Sequence, residues 1–258
     1  MTNRKVAIIT GAGTGVGAAS AKWLAARGYN VLVNYARSAE AAESVANACR
    51  AHGDAVTAQG DVGDDADCRR LAETAFNKWG RIDALVNSAG TTQFVSMQDL
   101  EALNAPDFER VYKVNVIGPY QMSRAVAPHM NITGGAIVNV SSLAGAQGSG
   151  SSYAYAASKG ALNTLTLSLA RNLAPKIRVN AVLPGMIQGR WLKDGIGEEG
   201  YERLKKQWSA NSALGTVCTP EQVADVIGWL ITGADVITGH LVPVDAGMSL
   251  GKPPVVAR

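Results

Sequence analysis

Thr10-Gly11-Ala12-Gly13-Thr14-Gly15-Val16-Gly17 joins a β-branched run, Val6 to Thr10, to a helical pattern that covers Val16 to Arg27. A tight turn at such a junction requires backbone angles that a Cβ disfavours, and a ligand phosphate must approach the backbone closely there. The helix that starts near Thr14 adds free N–H groups and the positive end of its dipole. At the first strand–helix junction of an α/β chain, this glycine turn indicates a nucleotide site.

The rest of the chain repeats the strand–helix alternation almost to its end. Seven short runs, several of them nearly all apolar, are typical of strands covered on both faces. The pattern predicts a single α/β domain over residues 1–258, a Rossmann fold with a doubly wound, seven-stranded parallel sheet and helices on both faces. The predicted strands are Val6 to Thr10, Asn30 to Asn34, Ala55 to Gln59, Ala84 to Asn87, Ala136 to Val140, Arg178 to Leu183 and His240 to Val244. The predicted helices are Val16 to Arg27, Ala39 to Ala51, Ala66 to Trp79, Asp107 to His129, Tyr155 to Leu173 and Glu221 to Ile231.

Composition argues against several other classes of protein. Of the 258 residues, 47% are hydrophobic and 17% are charged, which is ordinary for a globular domain. The net charge is only +3 and the Lys and Arg residues are dispersed, so we expect no nucleic-acid partner. No apolar run is long enough to cross a bilayer, and we expect no membrane partner. Three scattered cysteines without disulfide or metal spacing favour a reducing cytoplasm and no metal site.

One segment, about 189–215, departs from the alternation. It is Gly-rich at first and then helical around Glu198 to Trp208, and it lies between a strand and the last helix. Ligands of open α/β sheets bind at the carboxyl ends of the strands, where this segment is inserted. The segment is therefore predicted to be a substrate lid, and the alternative is an ordinary helical excursion on the surface.

The end of the second predicted strand bears on which dinucleotide binds. An acid usually stands there in NAD-binding proteins and accepts hydrogen bonds from the ribose 2′-hydroxyl. Here the run Val33 to Ser38 holds no carboxylate, and the first acid is Glu40. Arg37 and Ser38 could instead bind the 2′-phosphate of NADP, the Arg through charge-assisted hydrogen bonds. We expect NADP (NADPH), with NAD as the alternative, and the alternative for Arg37 is a solvated loop charge.

Three residues near the middle of the chain form a candidate chemical centre. Tyr155 and Lys159 stand four residues apart on a predicted helix, so they share one face, and Ser142 lies at the carboxyl end of the fifth predicted strand. A tyrosine pKa near 10 must fall by roughly three units, about 4 kcal/mol, before the phenol is a base at neutral pH. A nearby ammonium and a cationic nicotinamide are the expected sources. Tyr153 lacks such a lysine, because Ala157 stands four residues after it.

These motifs together resemble the short-chain dehydrogenase/reductase family along almost the whole chain. The glycines follow the family's Gly-x-x-x-Gly-x-Gly spacing, Asn87-Ser88-Ala89-Gly90 is similar to its Asn-Asn-Ala-Gly, and Pro184-Gly185-Met186-Ile187 follows the sixth strand as in the family. Two departures are visible: Ser88 replaces an Asn, and Gly189 stands where a Thr often contacts the nicotinamide.

The resemblance implies a role for each matching position. Ser142, Tyr155, Lys159 and Asn115 would be catalytic, and Asn115 would position a water that links the lysine to bulk solvent. Asp61 would lie beside the adenine ring. The full set of implied cofactor-binding residues is Gly11, Thr14, Gly15, Val16, Arg37, Ser38, Asp61, Val62, Asn87, Ala89, Gly90, Tyr155, Lys159, Pro184, Gly185 and Ile187.

The predicted function is hydride transfer between nicotinamide and a carbonyl or secondary alcohol of a small or medium metabolite, with Tyr155 as the acid/base. The chain looks most like β-ketoacyl carrier-protein reductases, so reduction of a β-ketoacyl thioester is the alternative. Residues 127–133 carry no Lys or Arg where those reductases tend to be basic, which argues against a carrier-protein role. A non-catalytic NADP-sensing protein is a second alternative. The resemblance also implies a homotetramer, with a homodimer as the alternative.

Overall fold

The apolar runs pair into one parallel sheet in the computed structural model, which describes residues 3–251. The strand order is β3-β2-β1-β4-β5-β6-β7, and every neighbouring pair is parallel. Each predicted strand is present with ends that differ by at most one residue, so the predicted seven-stranded Rossmann sheet is confirmed. The strands are β1 Val6–Ile9, β2 Asn30–Tyr35, β3 Ala55–Gln59, β4 Ala84–Asn87, β5 Gly135–Val140, β6 Ile177–Pro184 and β7 Leu241–Val244.

Helices cover both faces of the sheet. They are α1 Gly15–Ala25, α2 Ala39–Arg50, α3 Asp65–Trp79, α4 Ala105–Tyr112, α5 Gly118–Thr133, α6 Ala144–Gln147, α7 Tyr153–Leu173, α8 Arg190–Asn211 and α9 Pro220–Thr232. Alternate side chains of a strand point to opposite faces, so Ile9 packs with α1, α2 and α9, while its neighbour Ile8 packs with α3 and α5. Within residues 3–251, no helix is both long enough and apolar enough to cross a bilayer.

The helix predicted from Asp107 to His129 is interrupted in the structure. A π-helical turn, Lys113–Ile117, separates α4 from α5. Pro119 has no N–H to donate to the carbonyl of Asn115 four residues earlier, so an ordinary α-helical ladder does not continue there. The wider turn leaves Asn115 fully buried. The prediction of one continuous helix was wrong at this turn.

The segment after β6 is more helical than the sequence suggested. It forms α8 from Arg190 onward, whereas the sequence analysis expected a Gly-rich stretch before a helix at Glu198. Gly189 precedes α8 with φ of 145°, and Gly197 breaks it with φ of 74°. Both angles lie in the region that favours glycine, so the two glycines enclose a short helical piece, residues 190–196.

Candidate active site

The glycine turn after β1 is packed against the segment that follows β4. Gly11 has φ of 60°, and a Cβ built on it would lie 2.7 Å from the Cα of Ala89. A Cβ on Gly17 would lie 2.6 Å from the carbonyl oxygen of Gly11, so both positions require glycine. Thr10, which the sequence analysis gave no site role, joins the same two segments because its Oγ1 accepts hydrogen bonds from the N–H groups of Ser88 and Ala89, at 3.0 and 3.1 Å.

A second buried side chain that the sequence analysis missed, Asn34, joins the turn after β1 to the end of β3. Its Oδ1 accepts a hydrogen bond of 3.2 Å from the N–H of Gly11. Its Nδ2 donates to the carbonyls of Ala58 and Gly60, at 3.2 and 3.0 Å. Asn34 is 1% exposed. The available signal was an amide side chain directly after the apolar run Val31 to Val33, because a buried amide needs several partners.

The amino end of α1 has the features of a phosphate site. Thr14 precedes the helix, its side chain makes no capping hydrogen bond, and both Thr14 and Gly15 are exposed. Gly15 has φ of 55°, and a Cβ there would meet no atom within 4 Å. Val16 is buried and fixes the first turn against the core. Free N–H groups at a helix start, together with the helix dipole, attract phosphate oxygens.

Arg37 and Ser38 lie beside this turn, between β2 and α2. Both are exposed, and within residues 3–251 neither side chain has a hydrogen-bond or ion-pair partner. A Cβ built on Gly13 would lie 3.7 Å from the carbonyl oxygen of Ser38, so the two segments are in contact. Gln59 steadies the bend by donating a 3.1 Å hydrogen bond to the carbonyl of Ala36. A cation is therefore presented next to the glycine turn.

After β3, Asp61 and Val62 have different surroundings. Asp61 is exposed, and one carboxylate oxygen accepts a 2.9 Å hydrogen bond from the N–H of Gly63. Val62 is buried; its carbonyl accepts a 2.9 Å hydrogen bond from Gln121, and a Cβ on Gly118 would lie 2.8 Å from its side chain. Val62 thus ties the loop to α5, while the Asp61 carboxylate stays at the surface near the glycine turn's edge of the sheet.

Asn87, at the end of β4, is a structural link within the sheet. It is buried, and its Nδ2 donates a 2.9 Å hydrogen bond to Oδ1 of Asn139, the residue paired with it on β5. Asn139 in turn donates a 2.9 Å hydrogen bond to Oγ1 of Thr166 on α7. Among the described residues, Oδ1 of Asn87 has no hydrogen-bond partner. Its side chain therefore connects β4 to α7 inside the fold.

The segment after β6 is fixed by its neighbours on both sides. Pro184 ends β6, and a Cβ on Gly185 would lie 2.9 Å from the ring of Trp208 on α8. Ile187 pairs with Cys218 in an isolated parallel bridge. The predicted nicotinamide segment is thus held at the carboxyl end of β6 and covered by α8.

Ser142, Tyr155 and Lys159 meet at the carboxyl end of β5. Ser142 stands two residues past Val140, the last residue of β5, and the other two project from the first turns of α7. The Ser142 hydroxyl accepts a 3.1 Å hydrogen bond from the N–H of Ala144 and lies close enough to the Tyr155 phenol to act on its pKa. Nζ of Lys159 lies 5.6 Å from the centroid of the Tyr155 ring and donates a 2.8 Å hydrogen bond to the Val140 carbonyl. The three predicted side chains are therefore adjacent.

Burial changes the ionisation of two of these groups. Lys159 is 4% exposed, and its removal from water lowers the pKa of its amine to about 8. Burial raises the pKa of Tyr155, while the hydrogen bond with Ser142 acts in the opposite direction. In the protein chain alone the pKa of Tyr155 thus lies above its ordinary value, and the lowering expected from the sequence would have to come from an added positive charge.

Each hydroxyl residue of the pair has a neighbour of the same type with a different contact. Ser141 is buried and donates a 2.6 Å hydrogen bond to Oδ1 of Asn163. Tyr153 donates a 2.6 Å hydrogen bond to the carbonyl of Met97. Both neighbours therefore hold the structure together, while Ser142 and Tyr155 are half-buried and their side chains lie near each other.

Asn115 supports this centre through its side chain. Its amide exchanges two hydrogen bonds with the backbone of Thr91, at 2.8 and 2.9 Å, and donates a third of 3.0 Å to Oγ of Ser158. Ser158, another residue without a role in the sequence analysis, donates a 2.7 Å hydrogen bond to the carbonyl of Tyr155. A Cβ on Gly90 would lie 3.5 Å from Oδ1 of Asn115. The amide therefore clamps the loop after β4 onto α7.

Comparison with known proteins identifies the family. The family model described as Enoyl-(Acyl carrier protein) reductase matches residues 11–249, nearly the whole chain. The chain belongs to the short-chain dehydrogenase/reductase family. Members of this family are oxidoreductases that use NAD or NADP, so the chain is a dehydrogenase or reductase enzyme.

Three relatives illustrate the similarity of this short-chain dehydrogenase/reductase to others. A Streptomyces violaceoruber protein named as ketoacyl reductase 2 of the granaticin polyketide synthase is 39% identical over 246 residues, 95% of this chain and 96% of its own. The 3-oxoacyl-[acyl-carrier-protein] reductase of Staphylococcus aureus is 34% identical over 252 residues, 96% of this chain and 99% of its own. A short-chain dehydrogenase/reductase structure from Burkholderia xenovorans has a TM-score of 0.90 and 41% identity, covering 97% of this chain and 100% of its own.

Proposed function

We propose that this enzyme reduces a ketone of a small or medium metabolite with NADPH and uses Tyr155 as the proton donor. The observation that carries the proposal is the approach of the Ser142 and Tyr155 side chains to each other beside the buried amine of Lys159, which lies 5.6 Å from the Tyr155 ring. Two hydroxyl groups that converge at one point bind and polarise a carbonyl oxygen, and a general acid completes the reduction. The position at the carboxyl end of β5 agrees with where open α/β sheets bind ligands.

The residues of the glycine turn fit NADP. Gly11 packs too closely on Ala89 for a Cβ, which fixes the turn, and the exposed start of α1 offers uncapped N–H groups to the phosphates. Arg37 and Ser38 would hold the 2′-phosphate, and Asp61 with Val62 would border the adenine. The other proposed contacts are Thr14, Gly15, Val16, Asn87, Ala89, Gly90, Tyr155, Lys159, Pro184, Gly185 and Ile187. When bound, NADPH supplies the hydride that reduces the carbonyl carbon.

The protein supplies the proton and the positioning. Burial raises the pKa of Tyr155, so its phenol is protonated at neutral pH and ready to donate to the ketone oxygen. Lys159, with a pKa of about 8, carries its proton at neutral pH, and its charge stabilises the phenolate left after the transfer. Asn115 positions the loop after β4 against α7. At neutral pH the chain therefore stands in the protonation state that reduction needs, and alcohol oxidation would require the phenolate.

Reduction of a β-ketoacyl thioester is the second candidate. It uses the same proton donor and the same ketone chemistry, and it is favoured by the similarity to the Staphylococcus aureus reductase. A non-catalytic NADP-sensing role is disfavoured, because a sensor has no need for the intact set of Ser142, Tyr155 and Lys159.

We also propose that the chain forms one domain and acts in the cytoplasm as a homotetramer, with a homodimer as the alternative. Exposed Tyr120 on α5 and Leu167 on α7 would lie in such an interface.

The first test is a titration of tryptophan fluorescence with NADPH and NADH in parallel, because Trp208 lies against the proposed nicotinamide segment. We expect NADPH to bind at least about tenfold more tightly, a difference of about 1.4 kcal/mol. NADPH oxidation is then followed with a bicyclic ketone and with an acetoacetyl thioester. Turnover of either ketone with NADPH supports the proposal. Tighter binding of NADH would contradict the NADP assignment, and binding of neither nucleotide would contradict the enzyme's proposed function altogether.

A further inference from the structure

Phe94, in the loop after β4, touches α8 at a position that has no side chain. A Cβ built on Gly195 would lie 2.2 Å from Cε2 and 2.4 Å from Cζ of the Phe94 ring. Any side chain at Gly195 would therefore displace the ring or the helix. The ring and the helix backbone are in direct contact because this residue is glycine.

The strand order places this contact above the chemical centre. Phe94 follows β4 and Gly195 follows β6, and β5 lies between these two strands in the sheet. A contact between segments that leave β4 and β6 must therefore pass over the carboxyl end of β5, where Ser142 and Tyr155 lie. Two strand spacings make the space beneath it about 10 Å wide at its base. Phe94 and Gly195 thus form a roof over the centre.

The Phe94 side of the roof is tied to the helix that carries Tyr155. The N–H of Val95 donates a 3.0 Å hydrogen bond to the carbonyl of Ser151, and Oγ1 of Thr92 lies 2.6 Å from Oγ of Ser151. Tyr153 holds the loop again through the Met97 carbonyl at 2.6 Å. Because these bonds lie on both sides of Phe94 along the chain, the ring has a fixed position relative to α7.

The other side of the roof belongs to a short helical piece with a glycine at each end. Gly195 belongs to the short helical piece 190–196, which lies between Gly189 and Gly197. These two glycines have φ of 145° and 74°, and a Cβ on either would meet no atom within 4 Å. Glycine is thus required there by backbone conformation and not by packing. The glycine at each end allows the piece to change its angle, and its position is set by the Phe94 contact together with the packing of Leu192 and the 2.6 Å ion pair of Lys193 with Glu198.

We propose that the Phe94–Gly195 roof determines substrate specificity, admitting compact ring ketones and excluding ketones that carry a long thioester arm. This inference rests on the proposed ketone reduction and names its substrate class. A flat ring system fits between the aromatic roof and the carboxyl end of β5, where two strand spacings leave a base about 10 Å wide, whereas a thioester arm that leaves the site on this side would meet the Phe94 ring. Phe94 selects by size and touches no proton donor.

The test compares Phe94→Ala with wild type on two ketones, a decalone and the N-acetylcysteamine thioester of acetoacetate. We expect the ratio of kcat/KM for the thioester to that for the decalone to rise by about tenfold or more in the variant. NADPH affinity, measured by fluorescence, should stay within about twofold. Phe94→Leu keeps an apolar side chain at this position and replaces the alanine variant if that variant unfolds. Its ratio of kcat/KM for the thioester to that for the decalone should rise by a smaller factor.

A double-mutant cycle then isolates the contact. We expect Gly195→Ala to lower kcat/KM for the decalone by about tenfold in wild type and by less than about twofold in the Phe94→Ala background, where the added methyl has room. Gly200→Ala on the same helix is the matched control, because its Cβ would lie at an ordinary 3.4 Å from Ile196. Equal losses in both backgrounds, or an unchanged substrate ratio despite turnover, would overturn the roof. No turnover of either ketone by wild type would overturn the proposed function and the roof with it.

Discussion

The two halves of the sheet's carboxyl edge differ in what they present to a ligand. Over β1 to β3, the proposed cofactor contacts are largely backbone: glycines with positive φ and the free N–H groups at the start of α1. The buried side chains there, Thr10 and Asn34, bind other loops. Over β4 to β6, the groups proposed to contact the substrate are side chains, those of Ser142, Tyr155 and Lys159.

The two halves therefore represent two kinds of ligand site, one formed mainly by backbone groups and one formed by side chains. A site built from backbone N–H groups depends on the dihedral angles of its loops. It therefore requires glycine at the positions with positive φ, and buried side-chain amides that hold the loops in place. A side-chain site must bury ionisable groups, which shifts their pKa values, as at Lys159. We therefore expect loss of the Tyr155 hydroxyl to change chemistry at nearly constant cofactor affinity, and a charge change at Arg37 to do the reverse.

The largest expected effect lies on the chemical side. Tyr155→Phe removes the proton donor while it keeps the ring, so we expect kcat to fall by about a thousandfold. NADPH affinity should change by less than about twofold. Tyr153→Phe is the control, because it removes a hydroxyl from the same helix that bonds only to the Met97 carbonyl among the described contacts. Steady-state kinetics of ketone reduction measures both, and near-normal turnover by Tyr155→Phe would remove the distinction between the two halves.

A smaller effect should appear as a pH dependence of stability. The pKa of Lys159 is about 8 in the fold against an ordinary 10.5, so burying the charged amine costs stability at neutral pH. The folded state releases the proton first, and the cost disappears as the pH rises from about 8 to about 10.5. Relative to Lys159→Met, which does not titrate, the free energy of unfolding of wild type should rise by about 2 kcal/mol between about pH 7 and about pH 10. Denaturant unfolding of the two proteins across this range measures it, and parallel pH profiles would show that the amine is not perturbed.

The smallest expected effect lies on the β2 side, at an exposed side chain beside the backbone site. Arg37→Glu places a negative charge where the 2′-phosphate is proposed to bind, so NADPH affinity should fall by about tenfold, or about 1.4 kcal/mol, while NADH affinity changes by about twofold or less. Arg171→Glu makes the same change of net charge on an exposed part of α7 and serves as the control. Fluorescence titration at two salt concentrations measures these affinities, because an exposed charge is screened by ions. Equal losses in the two variants would mean that Arg37 acts only through net charge.

Local patterns were enough to predict much of the molecule. Strand positions followed from apolar runs such as Ala84 to Asn87, because a strand covered on both faces must be apolar throughout. The adjacency of Tyr155 and Lys159 followed from helical geometry, which places residues four apart on one face. Both depend on residues that are near each other in the chain.

The features that local patterns did not predict come from residues far apart in the chain. Asn34 meets Gly60, and Phe94 meets Gly195, only after the sheet has assembled in its crossed strand order. The π-helical turn at Asn115 follows from a proline four residues later, a signal that the sequence contained and that the analysis of periodicity passed over. Helical spacing alone could not reveal it, because the apolar face continues across the turn.

The arrangement of Asn34 and Arg37 has a consequence for how such a protein can be altered. The side chain of Asn34 is held by four backbone partners, while the bend only two residues further on is exposed. Among the described residues, the side chains of Arg37 and Ser38 make no hydrogen bond or ion pair. The element that keeps the nucleotide pocket in shape is thus separate from the element proposed to discriminate between nucleotides. Substitutions at residues 36–38 should therefore change the preference between NADPH and NADH without altering the hydrogen bonds of Asn34 that hold the pocket.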